Sequence, residues 1–407
     1  MLHENYDIET EEIYSPDEEE FIEKRSEYWC AECKIETSEK ECPVCGNETV
    51  EGVPLQVYWC KNCNTPIIHK MNQIDKGICP ICGKKTKYLT TDIRPVFPEE
   101  RLLLELLLDK EPHTFIRSSV WAADSRYYIE GKSIAIPNEL FQTANADAIR
   151  KKLNEHQETN SYKYFNEHIN TFITANANRL NYLKTESFEF VRETASKFDE
   201  EKLVISFSGG KDSTVTADVV VKALSNPSLV HIFGNTTLEF PSTVAYAERF
   251  RENHPQAIFL FAKNDEQVFM DVCEDIGPPA RLMRWCCSMF KTGPITRVIN
   301  SLYRSQQILT FYGIRKWESV SRSKYNRIEN DAESVKIQQQ TVASPIFFWK
   351  DIDIWLYILA EEVDFNEAYR LGYDRVGCWC CPNNNQRAQF LSRIYMPEQS
   401  KKIGEIF

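Results

Sequence analysis

The sequence predicts an α/β protein whose C-terminal half forms an open parallel sheet with helices on both faces, preceded by two zinc ribbons and a small α+β module. Three observations support this prediction. After residue 200, short apolar runs alternate with helical stretches, as expected of a parallel sheet covered on both faces. A glycine-rich loop directly follows the first of these runs. Eight of the 14 cysteines precede residue 83 and six follow residue 272, so they serve different sites.

Length and composition bound the architecture. A chain of 407 residues and 47.5 kDa accommodates two to four domains at about 100–200 residues each. The longest apolar runs, Leu102–Leu104 and Leu106–Leu108, are far shorter than the roughly 18 residues of a membrane span. The N-terminus is acidic and lacks the basic-then-apolar order of a secretory signal. We therefore expect a cytoplasmic protein with no membrane partner.

Negative charge dominates the chain. Lysine and arginine total 48 against 60 acidic residues, which gives a net charge of −12 and a pI near 5.3. The average field of such a protein repels nucleic acid, so local basic clusters must bind any anionic partner. Residues 1–27 carry eleven acids and two bases and are predicted to form a solvated acidic tail.

The first eight cysteines form four Cys-x-x-Cys pairs, which we predict to bind two zinc ions. Two such turns supply the four thiolates of a tetrahedral zinc site. Gly46 and Gly83 each follow the second cysteine of a pair, where a turn often needs a positive φ. A redox function is the alternative, but redox pairs accompany a βαβ pattern that this segment lacks. The predicted ligands are Cys30, Cys33, Cys42 and Cys45 for one ion and Cys60, Cys63, Cys79 and Cys82 for the other.

Two interpretations of these ribbons, residues 28–90, follow from their composition. Residues 46–88 hold six lysines and three acids, with Tyr58 and Trp59 nearby, which suits a nucleic acid or a protein partner. A purely structural module is the alternative.

The middle of the chain is predicted to contain a small α+β module, residues 91–150, and a helical connector, residues 151–198. The module begins with the apolar run Leu102–Leu108 and continues with alternating segments at Phe115–Val120 and Tyr127–Ile136. Between Tyr162 and Val191 most apolar residues recur every three or four positions, which indicates amphipathic helices.

The last domain, residues 199–407, contains the predicted parallel sheet and a candidate phosphate-binding loop. The predicted strands are Leu203–Phe207, Leu229–Phe233, Ala257–Phe261 and Ile308–Ile314. The loop Ser208–Ser213 lies at the carboxyl end of the first strand, where ligands bind in such sheets. Gly209 and Gly210 allow close approach to phosphate oxygens, and helix amides, hydroxyls and Lys211 can donate to them. A plain turn is the alternative interpretation.

From this loop onwards the sequence resembles the PP-loop ATP pyrophosphatases, in particular the phosphoadenosine phosphosulfate (PAPS) reductase branch. The resemblance covers about residues 200–390 and rests on five motifs in the same order. They are SGGKDS at 208–213, Gly234 to Pro241, Trp285-Cys286-Cys287 with Lys291 and Pro294, Gly313-Ile314-Arg315 with Glu318-Ser319, and Gly377 to Pro382.

The resemblance implies a nucleotide site and a [4Fe–4S] cluster. Implied cluster ligands are Cys286, Cys287, Cys378 and Cys381, with a single zinc ion on the same four as the alternative. Cys380 is either an exchangeable ligand or a reactive thiol, and Cys273, in a predicted helix Glu266–Asp275, is a small buried residue. Implied ATP-binding residues are Ser208, Gly209, Gly210, Lys211, Asp212, Ser213, Asn235, Glu239, Gly313 and Arg315, with Asp212 as a candidate magnesium ligand.

Basic residues concentrate near this implied site. Residues 315–327 hold five bases and one acid, and residues 281–297 add four more bases. A positive cleft would hold ATP phosphates and neutralise a pyrophosphate leaving group. Arg315 follows a predicted buried strand and is the expected contact, whereas Lys324 and Arg327 suit a solvated face equally well.

Two departures from the reductases favour an adenylating enzyme. Reductases tend to lack the loop lysine and carry a C-terminal cysteine nucleophile, whereas this chain keeps Lys211 and has no cysteine after Cys381. The features are similar to those of ATP pyrophosphatase components of DNA phosphorothioation systems. This resemblance implies an ATP pyrophosphatase and sulfurtransferase with Lys211, Asp212, Arg315 and Cys380 as candidate catalytic residues, a nucleic-acid acceptor and a cysteine desulfurase as sulfur donor. A sulfonucleotide reductase and a non-catalytic nucleic-acid adaptor are the alternatives.

Overall fold

The computed structural model describes residues 28–71, 76–123, 126–156, 160–304, 306–319, 322–330, 337 and 340–406. Two units divide the chain, residues 1–54 and 55–407, so the boundary falls within the predicted ribbon segment 28–90. The predicted acidic tail lies outside the described residues. In the part of the chain that the structure describes, no helix is both long and apolar enough to cross a membrane.

The first unit contains one small antiparallel sheet with strand order β2-β1-β3. Its strands are β1 (Tyr28–Cys30), β2 (Ile35–Thr37) and β3 (Val50–Glu51). The thiols of its four cysteines lie within 4.8 Å of one another, as the Cys-x-x-Cys spacing predicts. Gly46 has a φ of +70°. This value confirms the positive φ predicted directly after the second cysteine of the Cys42/Cys45 pair.

The second ribbon opens the second unit and has strand order β5-β4-β6. The strands are β4 (Leu55–Cys60), β5 (Thr65–Lys70) and β6 (Lys87–Thr90). Its four thiols also lie within 4.8 Å of one another. Val57 and Trp59 of β4 are buried in the large core of this unit, so this ribbon shares a core with the rest of the unit.

Within the segment predicted as an α+β module, residues 91–150, four strands form an antiparallel sheet of order β10-β9-β8-β7, and one helix lies between the first two strands in sequence. These elements are β7 (Arg94–Pro95), α1 (Pro98–Leu107), β8 (Val120–Ala123), β9 (Arg126–Ile129) and β10 (Lys132–Ala135). The predicted strand at Phe115–Val120 is wrong, because residues 112–117 form turns. The Glu105 carboxylate accepts the N–H groups of His113 and Phe115, both at 2.6 Å, and holds these turns in place.

Four helices follow the module. They are α2 (Asn138–Thr143), α3 (Ala146–Glu155), α4 (Asn160–Ala175) and α5 (Ala177–Ala195). Asn176 separates the last two, and its side chain accepts the N–H of Ile68 at 2.8 Å and donates to the carbonyl of Pro66 at 3.1 Å. These hydrogen bonds attach β5 of the second ribbon to the helical connector.

The C-terminal part of the second unit contains a six-stranded sheet of order β13-β12-β11-β14-β16-β15, parallel except for β15. Five short helical turns, Glu200–Lys202, Ser288–Thr292, Lys316–Glu318, Arg322–Lys324 and Glu367–Tyr369, connect its longer elements. The longer elements are β11 (Leu203–Phe207), α6 (Lys211–Leu224), β12 (Val230–Asn235), α7 (Pro241–Asn253), β13 (Ile258–Lys263), α8 (Phe269–Ile276), α9 (Trp285–Cys287), α10 (Gly293–Tyr303), β14 (Ile308–Phe311), β15 (Ile328–Glu329), β16 (Gln340–Ala343), α11 (Asp351–Ala360), α12 (Gln386–Tyr395) and α13 (Pro397–Ile406).

Both faces of this sheet are covered, as predicted. Alternate residues of β11 enter different cores, because successive side chains of a strand point to opposite faces. Ile205 and Phe207 pack in the core that contains buried residues of α5, α6 and α11. Val204 packs in a separate core that contains Ile299 of α10.

Several element boundaries differ from the prediction. The strand predicted to end at Ile314 ends at Phe311, because the chain leaves the sheet where Gly313 approaches α6. A Cβ atom at Gly313 would lie 2.7 Å from the backbone of Asp212 and of Ser213. The helix predicted at Glu266–Asp275 spans Phe269–Ile276, and Cys273 on it is half-buried. Strands β15 and β16 and helix α11 were not predicted.

Candidate functional site

The loop Ser208–Gly210 joins β11 to α6 at the carboxyl edge of the sheet. Gly209 has a φ of +71°, and a Cβ there would lie 2.8 Å from Cγ2 of Thr243. Both observations require glycine at this position. The loop therefore adopts a close turn that no other residue type would allow without strain.

Two serines close this loop on itself. The N–H and the hydroxyl of Ser208 both donate to Oγ of Ser213 at 3.1 Å, and the Ser213 hydroxyl donates to the carbonyl of Gly210 at 2.9 Å. The N–H of Lys211 donates to the hydroxyl of Tyr369 at 3.0 Å. The loop and the first turn of α6 are thus held in one conformation, with helix N–H groups directed to this edge, as anion binding requires.

Lys211 and Arg315 meet two carboxylates beside the loop. Lys211 Nζ lies 3.1 Å from Oδ1 of Asp351 and 3.7 Å from Oδ2 of Asp212. Arg315 Nε lies 2.5 Å from Oδ1 of Asp212, and one of its terminal nitrogens lies 3.1 Å from Asp351. Lys211 and Arg315 are only 4% and 5% exposed, whereas the side chains of Asp212 and Asp351 are 19% and 24% exposed, so the two cations are buried and the two carboxylates reach solvent.

The charges in this cluster stabilise one another. Burial by itself would lower the pKa of Lys211, but the carboxylates of Asp212 and Asp351 outweigh burial and raise it. Burial would likewise raise the pKa of Asp212, and the neighbouring Arg315 and Lys211 lower it instead. Lys211 therefore stays cationic and Asp212 anionic, the states that phosphate binding and metal binding require.

Asp351 and its neighbour Asp92 were missed by the sequence analysis. The carboxylate of Asp92 accepts the N–H groups of Asp351 and Ile352, both at 3.0 Å, and so caps the N-terminus of α11. Burial, together with the charge of Asp351, raises the pKa of Asp92 to about 6. The sequence did contain one indication of Asp351. This residue directly precedes an apolar run that continues to Leu359 and is interrupted only by Asp353.

Asn235 and Glu239 at the end of β12 bind their own loop. The N–H and the hydroxyl of Thr236 donate to the carboxylate of Glu239 at 3.0 and 2.7 Å. The side-chain oxygen of Asn235 accepts the N–H of Thr237 at 2.9 Å. Both residues lie at the edge predicted to bind the nucleotide, and these contacts position them within the loop.

The segment that carries the last three cysteines pairs with the loop after β12. Glu239 and Cys378 form an isolated antiparallel bridge. The N–H of Trp379 donates to the carbonyl of Leu238 at 2.8 Å, and that of Phe240 donates to the carbonyl of Gly377 at 3.1 Å. These hydrogen bonds fix Cys378 next to the carboxyl edge of the sheet.

The same segment contacts the phosphate-binding loop. Lys211 Nζ donates to the carbonyl of Asp374 at 3.1 Å. A Cβ atom at Gly210 would lie 3.6 Å from a methyl group of Val376. The two halves of the predicted site, which are more than 160 residues apart in sequence, therefore lie side by side.

The cysteines predicted to bind iron gather at this place. Cys286 and Cys378 border one apolar cluster with Trp285, Phe269 and Phe290. A hydrogen bond from Cys286, followed by the Arg284 guanidinium 3.4 Å from its sulfur, lowers the pKa of Cys287 to about 5. Burial raises the pKa of Cys378 to about 11. Thiols from two separate segments thus converge, and their donor chemistry fits an iron–sulfur cluster.

The spacing of these thiols differs from that in the ribbons. A single zinc ion with Zn–S bonds of about 2.3 Å needs sulfurs about 3.8 Å apart. Among the described residues, the groups of three or more cysteines within 4.8 Å are those of the two ribbons. No three of the four C-terminal cysteines, all of them described residues, lie within 4.8 Å of one another, so their spacing differs from that of the ribbon thiols.

Cys380 does not have the environment of a nucleophile. It is only 4% exposed and packs with Leu238, Phe269 and Val272. Burial raises the pKa of its thiol to about 12, whereas a nucleophilic cysteine needs a lowered pKa. Cys380 and Cys381 border the same cavity of about 590 Å³, but Cys381 is only half-buried, which suits a ligand position better.

The basic residues near the site have different partners. Arg284 contacts Cys287, and Arg281 donates to the carbonyl of Pro382 at 3.2 Å. Arg327 instead pairs with Glu186 and lies 3.7 Å from the ring centre of Phe190. Arg281 and Arg284 therefore belong to the cysteine region, whereas Arg327 stabilises the packing of α5.

Part of this chain is similar to known proteins. Residues 202–384 match the family model described as the phosphoadenosine phosphosulfate reductase domain. An uncharacterised protein of Methanocaldococcus jannaschii is 32% identical over 221 residues, which are 54% of this chain and 44% of that protein. An adenosine 5'-phosphosulfate reductase of Bacillus subtilis is 26% identical over 185 residues, or 44% of this chain and 73% of that enzyme.

A weaker likeness links the structure to a solved enzyme. The phosphoadenylyl-sulfate reductase of Candida auris has 18% identity and a TM-score of 0.38, covering 50% of this chain and 95% of that one. The chain spans about half the length of the Methanocaldococcus relatives it matches, 44% and 50%. The family match covers residues 202–384, the stretch that contains the phosphate-binding loop, Lys211, Arg315 and the six C-terminal cysteines.

Proposed function

We propose that this protein is an ATP pyrophosphatase and sulfurtransferase that adenylates an acceptor and then replaces the adenylated oxygen with sulfur. One observation carries the proposal. The intact loop at 208–213 contacts the cysteine segment through Val376 and the carbonyl of Asp374, so nucleotide and sulfur chemistry would share one site. The two ribbons would each hold one zinc ion.

In the first step, an acceptor oxygen attacks the α-phosphorus of ATP. The bond to the β-phosphate oxygen breaks and pyrophosphate leaves; an ionised phosphate oxygen of a nucleic acid carries no proton, so the step releases none. Ser208, Ser213 and the loop amides would hold the departing phosphates, and Lys211 and Arg315 would stabilise the charge that develops on them. The oxygen donors that fit a magnesium ion here are the carboxylates of Asp212 and Asp351.

In the second step, a sulfide ion forms a bond to the acceptor atom while AMP leaves with the former acceptor oxygen. No net oxidation occurs, because sulfide replaces an oxygen at the same oxidation level. Cys286, Cys287, Cys378 and Cys381 would hold a [4Fe–4S] cluster, which when bound supplies a site for sulfide. A cysteine desulfurase would provide the sulfur.

Nucleic acid is the proposed acceptor, with DNA phosphorothioation as the proposed setting. This part of the proposal rests on the resemblance to the DNA phosphorothioation components. The intact loop lysine, Lys211, supports ATP as the nucleotide.

The test is an anaerobic preparation analysed for iron, sulfide and zinc and assayed for pyrophosphate. Release of pyrophosphate from ATP and magnesium, with about four irons and two zincs per chain, is expected. A protein that binds ATP without ever releasing pyrophosphate, alone or with nucleic acid and sulfide, would contradict the adenylation step.

A sulfonucleotide reductase is the second candidate, because the Bacillus subtilis relative is named as one. Such an enzyme needs an accessible cysteine nucleophile. Cys380 is buried and does not provide one. Sulfite production from adenylyl sulfate with thioredoxin would establish this alternative.

A further inference from the structure

The second ribbon presents an exposed basic face that the nucleotide site does not use. We call it the ribbon face, and its exposed lysines are Lys61, Lys76, Lys84, Lys85 and Lys87. Lys84 donates to the side-chain oxygen of Asn62 and Lys76 to the carbonyl of Met71, and both acceptors are neutral. In the part of the chain that the structure describes, none of these five forms a salt bridge. Their charges are therefore available to a partner.

Aromatic surface accompanies these lysines. Tyr88 on β6 is 47% exposed and meets the ring of Tyr58 edge-on, with ring centres 5.8 Å apart. Exposed aromatic rings beside lysines are typical of surfaces that bind nucleic acid, because the rings stack on unpaired bases while the lysines contact phosphates.

The charge of the ribbon face is opposite to that of the whole chain. Residues 55–90 contain six lysines and one acid, whereas the chain carries a net charge of −12. Because exposed charges more than about 8–10 Å apart are screened at physiological salt, a polyanion at this face would respond to the local lysines.

The ribbon face is rigidly attached to the nucleotide site. The side chain of Asn176 fixes β5 through Ile68 and Pro66. Strand β6 runs from Lys87 to Thr90, and the carbonyl of the next residue, Thr91, accepts a hydrogen bond from Lys350 at 2.9 Å. Asp92 then caps α11, where Asp351 contacts Lys211.

This connection limits the distance between the two sites. Lys87 and Asp92 are five residues apart in sequence, and an extended chain spans at most about 3.4 Å per residue. Their Cα atoms are therefore within about 17 Å of each other. A polymer held at Lys87 would therefore lie near Asp92, whose partner Asp351 contacts Lys211.

We propose that the ribbon face binds the phosphate backbone of a nucleic acid and holds it beside the nucleotide site. The identification of this polymer as the acceptor rests on the proposed function, whereas its binding does not. DNA and RNA share the phosphate chemistry, and the experiment distinguishes them.

The test uses the full-length protein with a fluorescein-labelled DNA duplex and an RNA hairpin of equal length. The variant K84E/K85E/K87E removes three contacts, and K110E/K151E/K152E reverses three exposed lysines outside the ribbons as a charge-matched control. Anisotropy is measured between about 50 and 200 mM salt.

The ribbon variant is expected to bind at least about tenfold more weakly, with the slope of log K against log salt reduced by about 2–3, since each phosphate contact contributes about 0.9 on a duplex. The control should stay within about twofold of the wild type. Preference for the duplex or the hairpin identifies the source of the phosphates. Equal losses in the two variants, or unchanged binding by the ribbon variant, would overturn the proposal.

Further measurements distinguish a loss of nucleic-acid binding from misfolding and from a failure of the proposed function. Zinc content and thermal unfolding establish that the ribbon variant is folded, and K84Q/K85Q/K87Q, which adds no negative charge, should give a smaller loss in the same direction. Pyrophosphate release from ATP alone should be unchanged in the ribbon variant. Loss of nucleic-acid binding with normal pyrophosphate release supports the ribbon face, and binding without any pyrophosphate release contradicts only the proposed function.

Discussion

The two ribbons share a metal-binding pattern and differ in almost everything else. Each ends in a Cys-Pro-x-Cys-Gly knuckle, at Cys42–Gly46 and at Cys79–Gly83, and each gathers four thiols. Residues 28–54 contain six acids and two lysines, whereas residues 55–90 contain one acid and six lysines. The second ribbon also shares the core of the large unit. The cysteines determine the local fold, and the residues between them determine what the module can bind.

The largest effect should come from removing one buried ligand in each ribbon. C79S is expected to lose one zinc and to lower the stability of the second unit by more than about 4 kcal/mol, because metal binding there is coupled to a shared core. C42S should lose one zinc and leave the main unfolding transition in place. Zinc analysis and calorimetry check both predictions. If C79S and C42S lowered the temperature of the main unfolding transition equally, the two ribbons would not differ in their coupling to the core of the large unit.

The phosphate-binding loop should depend on Lys211 rather than on either ribbon. K211A is expected to slow pyrophosphate release by about 100-fold or more, because it removes a buried cation from the leaving-group site. The control K222A changes a lysine on the same helix that instead pairs with Asp218 and Glu361 and should retain activity within a few fold. A K211A protein with full activity would refute the assignment of the loop.

The junction between the second ribbon and the site should be sensitive to pH. Asp92 has a pKa of about 6 because of burial and of Asp351, above the value of about 3.9 in an unfolded chain. The folded state therefore binds more protons between about pH 4 and 6, and stability falls by up to about 3 kcal/mol as pH rises through this range. D92N should flatten this part of the profile, measured by denaturant unfolding. The control D147N, at an exposed helix position, should keep the wild-type slope.

The smallest effect is expected at matched positions inside the two knuckles. Val44 is 71% exposed and Ile81 is 44% exposed. V44S should change stability by less than about 0.5 kcal/mol, and I81S should cost about 1 kcal/mol, since more of its side chain is buried. Chemical denaturation of each unit provides the measurement, and a larger cost for V44S would reverse the comparison.

Local patterns predicted the elements whose signal lies within a few residues. Strand β11 spans Leu203–Phe207 as predicted, because an apolar run bounded by charges and glycines leaves little choice of ends. Strand β14 was predicted to continue to Ile314, and its early end depends on the approach of Gly313 to α6. The contact joins residues about 100 positions apart in sequence, so a pattern of neighbouring residues cannot predict it.

The candidate site shows the same division. The loop at 208–213 and the paired cysteines can be recognised in the sequence because the residues that define each motif lie within a few positions of one another. Asp351 and Tyr369 contact Lys211 from distant parts of the chain, and Asp92 holds Asp351 in place. The identities of these residues alone give no reason to single them out. The buried position of Cys380 likewise differs from the exposed thiol that a nucleophile requires.

The sequence by itself determined the metal-binding knuckles, the glycine turn after β11 and the family match of residues 202–384, because each depends on residue types at short spacing. Only the tertiary structure decided which charges surround Lys211, which cysteines lie beside the loop and which ribbon shares the core of the large unit. Those features depend on contacts between segments as much as 260 residues apart, such as Asp92 and Ile352. Such contacts form when the sheet and its helices pack, and short-range patterns do not encode them.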